Sequence, residues 1–176
     1  MRLTTLTIAA ATMLGMTGCS DVISLNSFAP ESLAIQNPAL PGIWSSSDGD
    51  DTYVVRAKDK GYTITFAGKD NAPLRFDAKL FRAGDAQILD VTPAGDDDPF
   101  RVATHTPVRV WLDAATLKFA FLDSPWLIEQ ARKQLAVQDV GKRVLITAPG
   151  DAVARFLLLH GGDARAFHGD PQILHR

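Results

Sequence analysis

Apolar and polar residues alternate with a period of two along several stretches of this chain. Leu74, Phe76, Ala78 and Leu80 alternate with Arg75, Asp77 and Lys79; Val108, Val110 and Leu112 alternate with Arg109, Trp111 and Asp113; Leu117, Phe119 and Phe121 alternate with Lys118 and Ala120. Each stretch predicts a strand that turns one face to a core. Shorter candidates are 43–46, 52–57, 62–66, 86–92, 101–104 and 143–147. Turn sequences separate them, among them Asp48-Gly49-Asp50, Lys60-Gly61, Gly68-Lys69-Asp70-Asn71 and Gly84-Asp85. Strands recurring about every ten residues predict an antiparallel meander that closes into a barrel or a strongly curved sheet.

Two stretches carry a helical pattern instead. Ser124-Pro125-Trp126 reads as a cap followed by proline in the first turn, and predicts a helix running to about Leu135. A second helix is expected from Gly150-Asp151 through Leu159, stopped by Gly161 and Gly162 as a C-terminal glycine would stop it. The fold class expected is therefore mainly β, with two α-helices in the C-terminal half.

The first residues read as an address rather than as part of the fold. Arg2 is the only charge before Asp21, and the run from Leu3 to Leu14 is apolar or hydroxylated. That is the pattern of a secretory signal, too short for a comfortable span of ~20 residues. It ends Met16-Thr17-Gly18-Cys19, which resembles a bacterial lipobox. The resemblance implies cleavage before Cys19, diacylation of its sulfur and acylation of the new amine. Ser20 then lacks the Asp that resembles an inner-membrane retention signal, which points to the outer membrane; the face expected is the periplasmic one. The domain plan is 1–18 signal peptide, 19–40 acylated cysteine and tether, and 41–176 one β-rich domain. A flexible tether of that length would reach on the order of 25 Å. In the alternative reading of the same stretch, Phe28, Leu33 and Ile35 pack a short helix onto the domain.

Composition adds little beyond this. The 176 residues are 46% hydrophobic and 22% charged, with 18 basic and 20 acidic side chains. The absence of a basic surplus disfavours nucleic acid as a partner. The single cysteine excludes an internal disulfide and a cysteine-based zinc cluster.

Gly42-x-Trp44 resembles the start of lipocalin-like barrels, in which the tryptophan plugs one end. The longer string from Leu40 to Phe167 is similar to small uncharacterised bacterial lipoproteins. It carries Tyr62-Thr63-Ile64, Phe76-x-Ala78-x-Leu80, Thr104-His105-x-Pro107 and Phe121-Leu122-Asp123-x-x-Trp126-Leu127. The resemblance implies an architecture and an address, and no activity. A helix before Arg143 interrupts the strand series and departs from strict lipocalin order.

Candidate chemistry is sparse. His105, between two strand candidates, could shuttle a proton or bind a ligand, with an Asp such as Asp90 as its partner. His160, His168 and His175 lack metal-ligand spacing. The acidic turns Asp48/Asp50/Asp51 and Asp96/Asp97/Asp98 offer oxygen ligands without the spacing of an EF-hand loop. Leu158 to Gly162 resembles the oxyanion loop of α/β-hydrolases, but the chain has no Gly-x-Ser-x-Gly elbow. Trp44 and Trp126 are expected as core plugs. Trp111, flanked by Arg109 and Asp113, is expected either as a partner contact or as packing against a helix. No metal, cofactor or catalytic residue is expected. The function expected is a lipid-anchored, non-catalytic envelope lipoprotein that binds a small apolar or amphipathic ligand or acts as a periplasmic scaffold. The binding form predicts a cavity between strands carrying Phe76, Leu80, Val108, Val110 and Phe119. The alternative is a protein-interaction module, either an envelope assembly factor or an immunity-type inhibitor of a secreted toxin. The candidate contact residues are Trp111, Arg109 and His105, and the lipidation site is Cys19.

Overall fold

The structure, a computed structural model, describes residues 21–95 and 102–176. Eight antiparallel strands close into a barrel: β2 (Gly42–Ser46), β3 (Asp51–Lys58), β4 (Gly61–Gly68), β5 (Leu74–Ala83), β6 (Ala86–Pro93), β7 (Thr106–Leu112), β8 (Thr116–Phe121) and β11 (Gln172–His175). The first seven form an up-and-down meander. The eighth, β11, arrives only after residues 122–171, and it zips β8 to β2. The departure from strict lipocalin order is thus an excursion between the seventh and eighth barrel strands.

That excursion holds α1 (Pro125–Gln134), β9 (Val137–Val140), β10 (Arg143–Ile146) and α2 (Gly150–His160). Ser124 caps α1 as expected: its Oγ accepts from the Leu127 amide at 3.1 Å. β9 and β10 pair with β1 (Val22–Ser24) in a small second sheet, in which β1 runs parallel to β10.

Two cores result. Inside the barrel, Trp44, Val55, Tyr62, Leu80, Leu89, Val110, Leu117 and Leu174 are buried. Outside, Phe81, Ala83 and Ile88 project the other way from β5 and β6 and pack with Val22, Phe28, Leu122, Leu127 and Leu157. β5 and β6 are therefore buried on both faces, and each of these large side chains contributes about 1.5–3 kcal/mol of burial. Gly161 and Gly162 serve this packing. Gly161 lies in the right-handed region (φ −68°) and is not a left-handed cap. A Cβ there would stand 2.5 Å from Ile88 Cδ1 and 2.7 Å from the Leu157 carbonyl, so the glycine lets α2 close onto the barrel.

Several expectations need correction. Residues 102–104 form no strand, and residue 101 lies outside the described residues. Residues 21–40 do not read as a free tether. Val22, Phe28, Ala29 and Leu40 are buried, and the Ile35 amide donates to the Leu80 carbonyl at 2.8 Å, beyond the point where β4 begins. A short 3-10 turn, Glu31–Leu33, stands where the alternative reading put a helix, but Leu33 itself is exposed. Trp126 is not a plug. It is half-buried, with the Arg165 guanidinium 4.4 Å above it.

Candidate functional site

Among the described residues, the barrel interior is filled at one end, and toward the other its inward side chains are only partly buried. The filled end lies where β2 begins and β7 finishes. Trp44 is fully buried there, and its Nε1 donates to the Leu40 carbonyl at 2.9 Å. Arg176 stacks its guanidinium 4.6 Å over the indole and donates through Nη2 to the carbonyls of Ala39 (2.8 Å) and Pro41 (3.1 Å). The segment before β2 forms the floor. The Asn37 amide donates to the Tyr62 hydroxyl at 2.6 Å, and Asn37 Nδ2 donates to Gln87 Oε1 at 3.1 Å. No polar group among these lacks a partner, as a closed end requires.

The inward positions toward the other end have a different exposure. Tyr53, Ile64, Phe66, Phe76, Val91, Phe119 and Phe121 are all only partly buried. Four of the aromatic rings form a connected row. Phe66 lies 4.9 Å from Tyr53, Tyr53 lies 5.7 Å from Phe119, and Phe119 lies 6.2 Å from Phe121, the last two pairs meeting edge to face. The Tyr53 phenol is pushed up to about 12, chiefly by burial and secondarily by Asp51. This end is an apolar, aromatic cup, with the Tyr53 hydroxyl among the rings and Gln172 beside Phe119 and Phe121, a combination found in small-ligand pockets. Of the five residues expected to bound a cavity, Phe76 and Phe119 lie in the cup. Leu80, Val108 and Val110 are buried in the barrel core, because the inward side chains meet there.

His105 lies on the outer wall. Its Nδ1 faces the buried carboxylate of Asp90 at 3.0 Å, and Thr92 Oγ1 stands 3.1 Å from the same nitrogen. Ser27 Oγ donates to Asp90 Oδ2 at 2.5 Å, and the Ala29 amide donates to the same oxygen at 3.4 Å. The main chain of His105 exchanges hydrogen bonds of 2.8 and 2.9 Å with Ser24. The Ser27 hydroxyl is directed to the carboxylate and not to the imidazole, which is not nucleophile–base geometry. The cluster latches residues 24–29 onto β6. Beside it, a cleft of about 430 Å³ is walled by Lys58, Lys60, Lys79 and Asp77. Lys58 and Lys60 are already paired with Asp77 and Glu31 at 3.2 and 2.8 Å.

Arg109 and Trp111 face the excursion rather than a free surface. Trp111 meets Phe167 edge to face at 5.4 Å. The Arg109 guanidinium lies 4.8 Å over Trp111, and its Nη1 donates to the Gly162 carbonyl at 3.1 Å. Burial lowers the Arg109 pKa, a cost partly offset by Asp163. The pair therefore ties residues 162–167 to β7.

The other candidates are scattered. His160 is wedged between Trp126 and Phe156 and faces the Gln134 side chain, joining α1 to α2; burial lowers its pKa. His175 is exposed on β11. His168 lines a second cleft of about 320 Å³ with Phe121, Asp123 and Asp170. Asp48 accepts from the Ser46 hydroxyl and the Asp50 amide, so it organises its own turn. Asp96, Asp97, Asp98 and Cys19 lie outside the described residues. Among the described residues, no group of three or more His, Cys, Asp or Glu is placed to hold a metal ion, and no helix is long and apolar enough to cross a membrane. The sequence offered the phenylalanines collectively as cavity-lining residues, which takes in Phe66 and Phe121, but it did not single out Tyr53 for the cup or Ser27 for the latch. Phe121 and Tyr53 already stood in predicted strands, and only barrel closure tells which end stays open.

The class that fold and site define is an up-and-down β-barrel with one sealed end and one aromatic, open end. Comparisons with protein-family models, curated proteins and solved structures find no match to this chain.

Proposed function

We propose that this chain is a lipid-anchored, non-catalytic envelope lipoprotein whose barrel receives a small apolar or amphipathic molecule in the cup between Tyr53, Phe66, Phe76, Phe119 and Phe121. The observation that carries this reading is the contrast in burial along one barrel axis. Seven inward-facing apolar side chains keep contact with solvent toward one end, whereas toward the other Leu40, Trp44, Tyr62, Leu80 and Leu117 are buried and Leu112, at the end of β7, is partly exposed. Leaving such side chains wet forgoes burial worth ~25 cal/mol per Å². A ligand that covers them recovers that energy. The Tyr53 hydroxyl supplies one polar contact for an amphipathic head. The Met16-Thr17-Gly18-Cys19 string supports acylation at Cys19 and an outer-membrane address.

The interaction-module reading is less well supported. Its main candidates, Trp111 and Arg109, already have partners in Phe167 and Gly162.

Titration with a fluorescent fatty acid tests the proposal. Saturable binding is expected, weakened strongly by Phe119→Asp and unchanged by Lys79→Ala on the outer wall. Absence of saturable binding, or equal effects of the two substitutions, would overturn it.

A further inference from the structure

We infer that the open end of the barrel is held against the bilayer, so that the cup takes an acyl chain directly from the membrane. This rests on the proposed acylation of Cys19, and three observations carry it further.

The first is the short reach of the anchor. Sequence alone allowed a tether reaching on the order of 25 Å. In the structure, packing begins at Asp21, whose carbonyl accepts from the Val144 amide at 2.7 Å. Val22, the next residue, is buried. Only two residue steps separate Cys19 from Asp21, a span of at most ~7 Å at full extension. An acylated Cys19 would therefore keep the Asp21 side of the domain at the lipid surface.

The second is where Asp21 lies. Its amide is hydrogen-bonded to the carboxylate of Asp123. Asp123 follows Phe121 by two residues, and Phe121 ends β8 in the cup. The short anchor thus leaves the domain close to the open end. The sealed end, where Arg176 follows β11 and binds the carbonyls of Ala39 and Pro41 ahead of β2, lies at the other end of the strands.

The third is the character of the rim. Leu74, the first residue of β5, is 51% exposed, and Val102, in the connection leading to β7, is 67% exposed. Both flank the open end. Exposed aliphatic side chains stand elsewhere too, Ile43 at the sealed end among them (60%), but those beside the anchored end are the ones that the interfacial layer of a bilayer can cover. A bilayer at this rim covers Leu74 and Val102 and presents acyl chains to the Tyr53–Phe119 row in one arrangement.

The acylated full-length protein tests the inference, because acylation consumes its only native thiol. Single cysteines at Leu74→Cys, Val102→Cys and, at the sealed end, Ile43→Cys are labelled with a polarity-sensitive fluorophore. The protein is then bound to phosphatidylethanolamine–phosphatidylglycerol vesicles carrying a headgroup-proximal nitroxide lipid. Several-fold stronger quenching at positions 74 and 102 than at 43 is expected. Vesicle flotation with equal quenching at all three sites, or with position 43 quenched most, overturns the orientation and leaves the anchor standing. Loss of flotation, with an intact mass lacking acyl groups, overturns both. Fatty-acid binding in detergent without rim quenching in vesicles supports the cup alone and contradicts loading from the bilayer.

Discussion

The Arg176 guanidinium lies 4.6 Å above the indole of Trp44 and binds the carbonyls of Ala39 and Pro41. This one contact joins the strand that closes the barrel to the segment that floors it. Arg176→Ala removes a cation–π contact and two hydrogen bonds, and is expected to cost about 2 kcal/mol. Trp44→Ala also leaves a cavity and is expected to cost about 3–5 kcal/mol. Urea denaturation of both variants checks the order. Equal midpoints would show that the arginine does not depend on the ring.

The latch between Asp90, His105 and Ser27 sets a second expectation. Asp90 is buried, and truncating it strands an imidazole, a hydroxyl and the Ala29 amide without their shared acceptor. Asp90→Ala is expected to destabilise by about 3 kcal/mol. Ser27→Ala also removes the hydroxyl's bonds to the Ala29 carbonyl and amide, and should cost about 1–3 kcal/mol. A double-mutant cycle between positions 27 and 90 is expected to show coupling, because the two side chains share one contact. Simple additivity would contradict the latch.

The segment from Val22 to Leu40 should behave as core. Phe28 is 1% exposed within the outer core, so Phe28→Ala is expected to cost about 3–5 kcal/mol. A chain starting at Ala39 lacks Val22, Phe28 and Ala29 together and is expected to lose cooperative thermal unfolding. Retention of the parent melting temperature would mean that the segment is dispensable.

Tyr53 gives a pH signature. Its phenol titrates at about 12 in the folded chain, against an ordinary value of 10.0. As pH rises from 10 towards 12, the unfolded state releases this proton and the folded state keeps it. The unfolded state then binds fewer protons, so stability falls with pH in that window. Tyrosinate absorbance should show one phenol ionising near 12, and Tyr53→Phe should remove that step. A step near 10 that disappears in Tyr53→Phe would contradict burial of the phenol.

Much of this architecture was legible from local pattern. Alternation along Leu74–Leu80, Val108–Leu112 and Leu117–Phe121 reports a sheet with one inward face, and β5, β7 and β8 follow it. Ser124-Pro125 marked the start of α1 because capping is a local hydrogen bond. Long-range pairings were not legible. β1 and β11 are three and four residues long, and they exist because distant strands present free edges. The proline- and serine-containing stretch from Ser24 to Pro41 has no periodicity of its own. Its order comes from Asp90, Leu80 and Tyr62, which lie elsewhere in the chain. Gly161 resembled a helix stop, yet its function is a close approach to Ile88 that no local pattern encodes. For the site, His105 with Asp90 was anticipated as a pair but not as a clamp. The cup was anticipated in its phenylalanines, Phe76 and Phe119 by number, but not in Tyr53.

Native mass spectrometry tests the central claim, occupancy of the cup, most directly. The acylated chain would be extracted gently from envelopes in mild detergent, keeping both its anchor and the packed segment that begins at Asp21. The account predicts an added mass of lipid class that is lost on denaturation and absent from Phe119→Asp. A clean apo mass for the parent, or an adduct that persists in Phe119→Asp, would contradict a ligand held among Tyr53, Phe66, Phe76, Phe119 and Phe121.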